Sequence, residues 1–180
     1  MSSLPRPEVH EHDEYYKRYT DLVPDGDIVD TLRGQMETTL ELLSSVPAER
    51  ETFRYAEGKW SVREVIGHLI DTERVFAFRA LTFARQDGAE LPGMDQEEWG
   101  GRNNAHERPL DDLADEWSAL RRANVRLFST FDADAGARAG VANDHDFTVR
   151  SFPWIIAGHE LWHRKLIARD YLTDYMEGSA

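Results

Sequence analysis

The sequence contains no cysteine among its 180 residues. A chain without cysteine has no disulfide framework, no thiolate to bind a metal and no thiol nucleophile. Any metal ion would therefore be bound by histidine, aspartate or glutamate side chains.

Long apolar runs are also missing. No segment approaches the roughly 20 consecutive apolar residues that span a membrane. Residues 1–30 contain no positive stretch followed by an apolar one, which is the pattern of a secretion signal. We therefore expect a cytoplasmic protein that does not contact membranes.

Positive charge is scarce as well. The chain has 21 lysine and arginine residues against 34 aspartate and glutamate residues, so its net charge is -13. A surface of this charge repels the phosphate backbone of nucleic acids. We expect no nucleic-acid partner.

The composition that remains is that of one globular domain. Apolar residues make up 41% and aromatic residues 11% of the chain, which is enough for a continuous hydrophobic core at this length. Residues 1–26 are rich in proline, charge and tyrosine, and we interpret them as an arm on the domain surface. The domain itself is expected to cover residues 27–172, with a C-terminal tail at 173–180.

Apolar residues recur at helical spacing in four segments. The first begins at Asp27, which is interpreted as an N-cap, and ends at Pro47. The second begins at a capping box formed by Ser61 and Glu64 and runs to about Arg85.

The third segment covers residues 110–131, and the fourth follows a cap at Thr148 or Ser151, with Pro153 in its first turn. No segment shows convincing strand alternation. The expected fold is all-α, a four-helix bundle with one or two long crossover connections.

Two connections bear on function. Residues 86–109 are longer than a turn between helices requires, so they either cross the bundle or roof a site. Residues 143–146 read Asn-Asp-His-Asp, which could supply a metal ligand but whose composition favours a turn.

The fourth segment carries His159 and His163, which share one face of a helix because they are four residues apart. Each could be a core histidine with a hydrogen-bond partner, but two imidazoles on a buried stripe leave up to four ring nitrogens to satisfy. One divalent metal would satisfy a nitrogen of each. His68, on the shoulder of the second helix, suits either a site at the mouth of the bundle or a solvent-facing position.

Residues 159–163 also match the metalloprotease pattern H-E-x-x-H, in which the glutamate is the general base. The extended pattern requires glycine and histidine where this chain has Leu166 and Arg169. Only 17 residues follow His163, too few for a further ligand helix. These departures disfavour a protease.

Several stretches together resemble the DinB-like (DinB/YfiT) family of four-helix-bundle metal-binding proteins. The resemblance extends over almost the whole chain, in order, and rests on these ranges: 15–16, 22–27, 58–68, 71–74 and 155–160.

The resemblance implies a metal bound by His68, His159 and His163. Many family members have a further histidine just before the last ligand, where this chain has Trp162. Zinc and nickel suit three imidazoles, whereas manganese and iron suit them less well without a carboxylate. Asp71 and Glu160 could orient the ligands, while Asp71, Glu73 and Arg74 could equally form ion pairs.

Characterised members of the family resemble thiol-dependent transferases that use bacillithiol or mycothiol, so the resemblance implies a low-molecular-weight thiol co-substrate and a small-molecule substrate. Two alternatives stay open: a stress-response or binding module with a structural metal, and a metal-dependent hydrolase with Glu160 as base. Val75 and Phe78 lie off the main apolar face of the second helix and indicate a homodimer surface.

Overall fold

The computed structural model describes residues 4–173, so the predicted tail lies, apart from Thr173, outside the described residues. The helices are α1 (Lys17–Thr20), α2 (Ile28–Ser44), α3 (Val62–Arg85), α4 (Gln96–Gly100), α5 (Leu110–Ser129), α6 (Ala133–Ala137) and α7 (Ser151–Leu166). The strands are β1 (Glu90–Leu91), β2 (Ala139–Ala142) and β3 (His145–Thr148). The four long helices α2, α3, α5 and α7 form the bundle, which confirms the predicted all-α fold.

Two of the long helices begin where the capping residues predict. The Asp27 side chain accepts hydrogen bonds from the backbone N–H groups of Val29 and Asp30 at the start of α2. Ser61 and Glu64 form the complete capping box of α3. These side chains satisfy N–H groups that have no partner within the helix, and they fix where each helix starts.

The predicted cap of α7 is wrong. Arg150 occupies the N-cap position without a side-chain cap, and the Ser151 hydroxyl donates to the carbonyl oxygen of Thr148. Pro153 lies in the first turn as expected, where its missing N–H costs least.

The expectation of no strands is also wrong, because a small three-stranded sheet joins two connections of the bundle. Strand β1 pairs in parallel with β2, and β2 pairs antiparallel with β3. Asn143 and Asp144 form the turn of this hairpin, both with positive φ (55° and 62°), which confirms the predicted turn. Strands of two to four residues are too short to show alternation in the sequence.

The bundle contains two hydrophobic clusters separated by buried polar residues. On α3, Glu73 lies between Ile70 of one cluster and Phe76 of the other. On α5, Arg121 lies in the same way between Trp117 and Val125. The buried polar residues that we call the polar layer are Gln35, Thr39, His68, Thr72, Glu73, Arg121, Asn124, His159, Glu160 and His163.

An ion-pair network ties the helices together within this layer. The Arg121 guanidinium on α5 donates two hydrogen bonds of 2.8 Å to Glu73 on α3 and a further one to Glu160 on α7. Thr39 on α2 donates to the other oxygen of Glu160. The three charged side chains are at most 3% exposed, so both carboxylates share the single positive charge of Arg121 inside the bundle.

None of the helices in residues 4–173 combines the length and the apolar character that a membrane span requires.

The N-terminal segment packs closely on α7. The Leu4 side chain is fully buried, and its carbonyl oxygen accepts a hydrogen bond of 3.2 Å from the Trp154 indole. A Cβ added to Gly158 would lie 2.0 Å from the carbonyl oxygen of Tyr19. The absence of a side chain at Gly158 therefore allows α1 to approach α7 and brings Tyr19 beside the polar layer.

We expect Gly158→Ala to lower the free energy of unfolding by about 1–3 kcal/mol, because the added methyl group meets backbone atoms of α1 that cannot move cheaply. Chemical denaturation measures this change. Gly34→Ala is the matched control, since Gly34 lies inside α2 with open space around it, and it should stabilise the protein by about 0.5–1 kcal/mol. A Gly158→Ala protein as stable as the wild type would show that the close approach is absent.

Candidate metal centre

Three histidine side chains meet inside the polar layer. His68 comes from α3, and His159 and His163 come from successive turns of α7. The Nε2 atom of His159 lies 3.0 Å from Nε2 of His68 and 3.1 Å from Nε2 of His163. One ring nitrogen from each residue can be chosen so that all three lie within 4.8 Å of one another.

Hydrogen bonds among the three rings cannot satisfy all of these nitrogen atoms. A neutral imidazole has one N–H and one lone pair, so His159 cannot offer both of its neighbours a separate hydrogen bond through Nε2. All three rings are less than a tenth exposed, which leaves little access for water. Three inward-facing nitrogen donors are a set that a divalent cation binds.

The outer ring nitrogen of His68 fits ligation through Nε2. Nδ1 of His68 lies 3.4 Å from the Thr72 hydroxyl, which can accept a hydrogen bond from an Nδ1–H group. Nδ1 of His163 is buried and has no hydrogen-bond partner in residues 4–173. If both Nδ1 atoms carry the proton, both Nε2 lone pairs face the centre.

The surroundings keep all three imidazoles neutral. Burial lowers the pKa of His68 to about 4. Burial, with a smaller contribution from His68, lowers the pKa of His163 to about 3. The pKa of His159 is also well below its usual value, chiefly because of burial and then because of the two neighbouring histidines. Neutral imidazoles at physiological pH offer lone pairs to a cation.

Aromatic rings hold the imidazoles in place. The Trp60 ring lies 4.8 Å from the ring of His68, and the Tyr19 ring lies 5.1 Å from the ring of His159. Trp162 packs edge-on against Tyr19 at 5.9 Å and is 41% exposed. The residue that replaces the family's further histidine therefore forms part of the surroundings of the site.

Two cavities border the histidines. The first, of about 460 Å³, is bordered by strands β2 and β3 and by His159, and we call it the sheet-side cavity. The second, of about 370 Å³, is lined by Trp60, Trp162, His68 and His163, and we call it the tryptophan cavity. Both cavities share the walls formed by Tyr15, Tyr19 and Gln96.

The long connection between α3 and α5 reaches this region. Met94 and Gln96 line the sheet-side cavity, and Gln96 and Glu97 line the tryptophan cavity. The connection therefore roofs the site, which is one of the two roles that its length predicts.

The acidic residues near the histidines are engaged elsewhere. Both carboxylate oxygens of Glu160 accept hydrogen bonds, from Thr39 and Arg121, so the side chain does not act as a free base. Asp71 lines a separate surface pocket and accepts a hydrogen bond of 3.4 Å from Asn103. Glu73 forms an ion pair between helices, as one of the two sequence-based alternatives stated.

Tyr19, Trp60 and Arg121 are neighbours of the site that the sequence does not reveal. Tyr19 belongs to the segment interpreted as a surface arm, and in the sequence Arg121 looks like the exposed arginines of an amphipathic helix. The signal that the sequence offers for Arg121 is its spacing of four residues from Trp117, which places it on the buried face of α5.

Comparisons with known proteins identify the family and the fold of the chain. The family model described as the DinB superfamily matches residues 31–167, a range that includes all three histidines. No curated protein matches the sequence. A solved structure, titled "YfiT from Bacillus subtilis is a probable metal-dependent hydrolase with an unusual four-helix bundle topology", is similar to the chain with a TM-score of 0.66. It is 15% identical, and the match covers 95% of this chain and 93% of YfiT, so it shows the shared fold. The match to the family model shows that the chain belongs to the DinB superfamily.

Proposed function

We propose that the protein is a metal-dependent enzyme in which His68, His159 and His163 bind one divalent cation. The observation that carries the proposal is the meeting of three neutral, buried Nε2 atoms from histidines that line two neighbouring cavities. YfiT, which has the same fold, is described as a probable metal-dependent hydrolase, and this description supports a metal in the present chain.

The donor set narrows the choice of metal. Three imidazoles without a carboxylate or thiolate suit zinc or nickel, whereas manganese and iron sites usually include carboxylate oxygens. In the described residues, the carboxylate nearest in sequence, that of Glu160, is taken up by Arg121 and Thr39. We propose zinc or nickel as the resident ion.

Three protein ligands leave at least one coordination position for water or substrate, and a metal so held supplies Lewis acidity that lowers the pKa of a bound water or thiol. The chain's own residues do the rest. The histidines fix the position of the ion, and the rings of Tyr19 and Trp60 fix the orientation of the histidines. The roof formed by Met94, Gln96 and Glu97 limits the access of water to the cavities.

The reaction class that we propose is transfer of a low-molecular-weight thiol to a small electrophile. Two cavities that border different histidines of the centre suit two substrates, one in each cavity. The chain has no cysteine, so the sulfur nucleophile must arrive as a co-substrate, of the bacillithiol or mycothiol type. The open cavities also distinguish the site from a closed structural metal site.

Hydrolysis is the second candidate, and the description of YfiT favours it. It would need one substrate and a water molecule in place of the thiol. Glu160 is not available as the base of the H-E-x-x-H pattern, because both of its carboxylate oxygens accept hydrogen bonds, from Thr39 and Arg121, and it lines neither cavity. A hydrolase of this geometry would have to rely on another base.

A second copy of the chain is a further proposed partner. Phe78 is 57% exposed and Leu81 is 37% exposed, and both lie on the outer face of α3. Apolar side chains of this size on one face of a helix are typical of a contact between protomers.

The metal site predicts the metal content of mutants. Protein purified without added metal should contain about one zinc or nickel ion per chain by elemental analysis. His159→Ala removes the central donor and should abolish this content, because two remaining imidazoles bind a cation weakly. His10→Ala, which removes an exposed histidine from the N-terminal segment, should leave the content unchanged.

Two results would contradict the metal site: wild-type protein that takes up no divalent ion after purification with added zinc or nickel, and a His159→Ala protein that retains as much metal as the His10→Ala control.

The lowered pKa values predict how metal affinity depends on pH. Protons compete with the metal only below the pKa of each ligand, and those of His68 and His163 are about 4 and about 3. Between pH 7.5 and pH 5.5 the zinc affinity should therefore change by less than about tenfold. Three histidines with the ordinary pKa of about 6.5 would lose up to about a thousandfold over the same range. Competition with a coloured chelator measures the zinc affinity at the two pH values and shows which of the two changes occurs.

The thiol-transfer reaction predicts conjugation that depends on the metal. Protein stripped and reloaded with zinc or nickel should conjugate a chromogenic electrophile such as 1-chloro-2,4-dinitrobenzene with cysteine, glutathione, bacillithiol or mycothiol faster than the His159→Ala protein does. Failure of every thiol, with metal bound, would rule out the transferase. Turnover of ester or amide substrates by the same sample, without thiol, would establish the hydrolase in its place.

A further inference from the structure

Two arginine side chains are buried within residues 4–173, and they differ in how their charge is compensated. Arg121 is 1% exposed and pairs with the carboxylates of Glu73 and Glu160. Arg79, on α3, is 4% exposed and forms no ion pair with any carboxylate of residues 4–173. Arg79 donates a hydrogen bond of 2.9 Å to the carbonyl oxygen of Pro92, and Tyr16 is its polar neighbour.

A buried cation without an anion is an uncompensated charge. Burial lowers the pKa of Arg79, and Tyr16 opposes this effect, but an arginine side chain stays protonated in proteins. A guanidinium group has five N–H donors. The carbonyl oxygen of Pro92 and the hydroxyl group of Tyr16 cannot accept hydrogen bonds from all five. Arg79 therefore has a positive charge and N–H donors that are available to a ligand in the space beside it.

The space next to it is the sheet-side cavity. Arg79 and His159 both line this cavity, so one continuous space joins the histidine cluster to the guanidinium group. Along α3, positions 68, 72, 76 and 79 lie on one face of the helix, and Thr72, Phe76 and Arg79 all border the cavity. Arg79 lies eleven positions after His68, which corresponds to about 16 Å along the helix axis between the two backbones.

The other charged group of the cavity does not neutralise Arg79. The carboxylate of Asp13 contacts Nδ1 of His145 at 2.8 Å and accepts a hydrogen bond from the backbone N–H of Tyr15. Phe76, Phe147 and Met94 supply much of the remaining wall. The cavity thus combines an apolar body with one unpaired cation, in a protein whose net charge is -13.

We propose that Arg79 binds the anionic group, a carboxylate or a phosphate, of the small molecule on which the centre acts. The inference rests on the proposed function, because the reacting end of that molecule would lie at His159 while its anionic end lies at Arg79. A planar guanidinium group matches both anions with paired hydrogen bonds, and the apolar walls accommodate the carbon skeleton between the two ends. Arg79 is therefore a specificity-determining residue of the sheet-side cavity.

Matched ligands test the proposal directly. Phenylacetate, phenyl phosphate and the neutral phenylacetamide are titrated into the full-length protein by isothermal titration calorimetry. At least one of the two anions should bind about 10- to 100-fold more tightly than the amide, since a hydrogen bond to a charged group contributes about 1.5–3 kcal/mol. Equal binding of the amide and both anions, or no binding of either anion, overturns the proposal.

Two paired variants test whether Arg79 is the source of the preference for the anion over the amide. Arg79→Gln should abolish the preference for the anion, whereas Arg18→Gln, the same change at an exposed arginine of the tryptophan cavity, should retain it. Circular dichroism and a thermal melt establish that each variant is folded. Should Arg79→Gln not fold, Arg79→Lys keeps the charge and should weaken binding of the anions without affecting the amide. A folded Arg79→Gln protein that still prefers the anion contradicts the assignment.

Titrations of metal-stripped protein separate this inference from the proposed function. The preference for the anion should persist after stripping, because Arg79 and not the metal is its source. A preference that disappears on stripping and survives in Arg79→Gln overturns the inference. Elemental analysis of the unstripped sample reports on the metal site independently, so the absence of metal there counts against the proposed function alone.

Discussion

The polar layer inside the bundle is the constraint on which the rest of the structure depends. Burying three imidazoles and three charged side chains removes them from water, which costs several kcal/mol per charge unless each finds a partner. Glu73, Arg121 and Glu160 find their partners in one another. The histidines face one another through nitrogen atoms, and a divalent cation is the partner that we propose for them.

The helices, the sheet and the N-terminal segment all serve to build this layer and its access. Helices α3 and α7 bring the imidazoles together, and α5 supplies the arginine that pairs with two glutamates. Gly158 lets α1 approach α7, so that Tyr19 packs on His159 and borders both cavities. Strands β2 and β3 and the roof residues form walls that the four helices alone would leave open.

Features set by local chemistry could be predicted from the sequence. The caps at Asp27 and Ser61 fixed two helices, and the four-residue spacing of His159 and His163 placed both on one face of a third. His68 was ambiguous from its own position, and it entered the site through the family resemblance. Its partner lies 91 residues away, so no local pattern could show that the rings meet.

Features set by tertiary contacts were missed. The strands are too short to show an alternation of apolar and polar residues in the sequence. They depend on the pairing of β2 with both β1 and β3. Arg79 and Arg121 look like surface residues in the sequence, because the burial of an arginine depends on partners from other helices. The sequence cannot show that Arg79 has no carboxylate partner, because this depends on where the folded chain places its acidic side chains.

Anomalous diffraction from crystals of the zinc- or nickel-loaded protein tests the central claim most directly. The account predicts a single peak at about 2.0–2.2 Å from the Nε2 atoms of His68, His159 and His163, with the remaining coordination facing the cavities. A peak that is bound by fewer than these three histidines, or that lies elsewhere in the molecule, would contradict it.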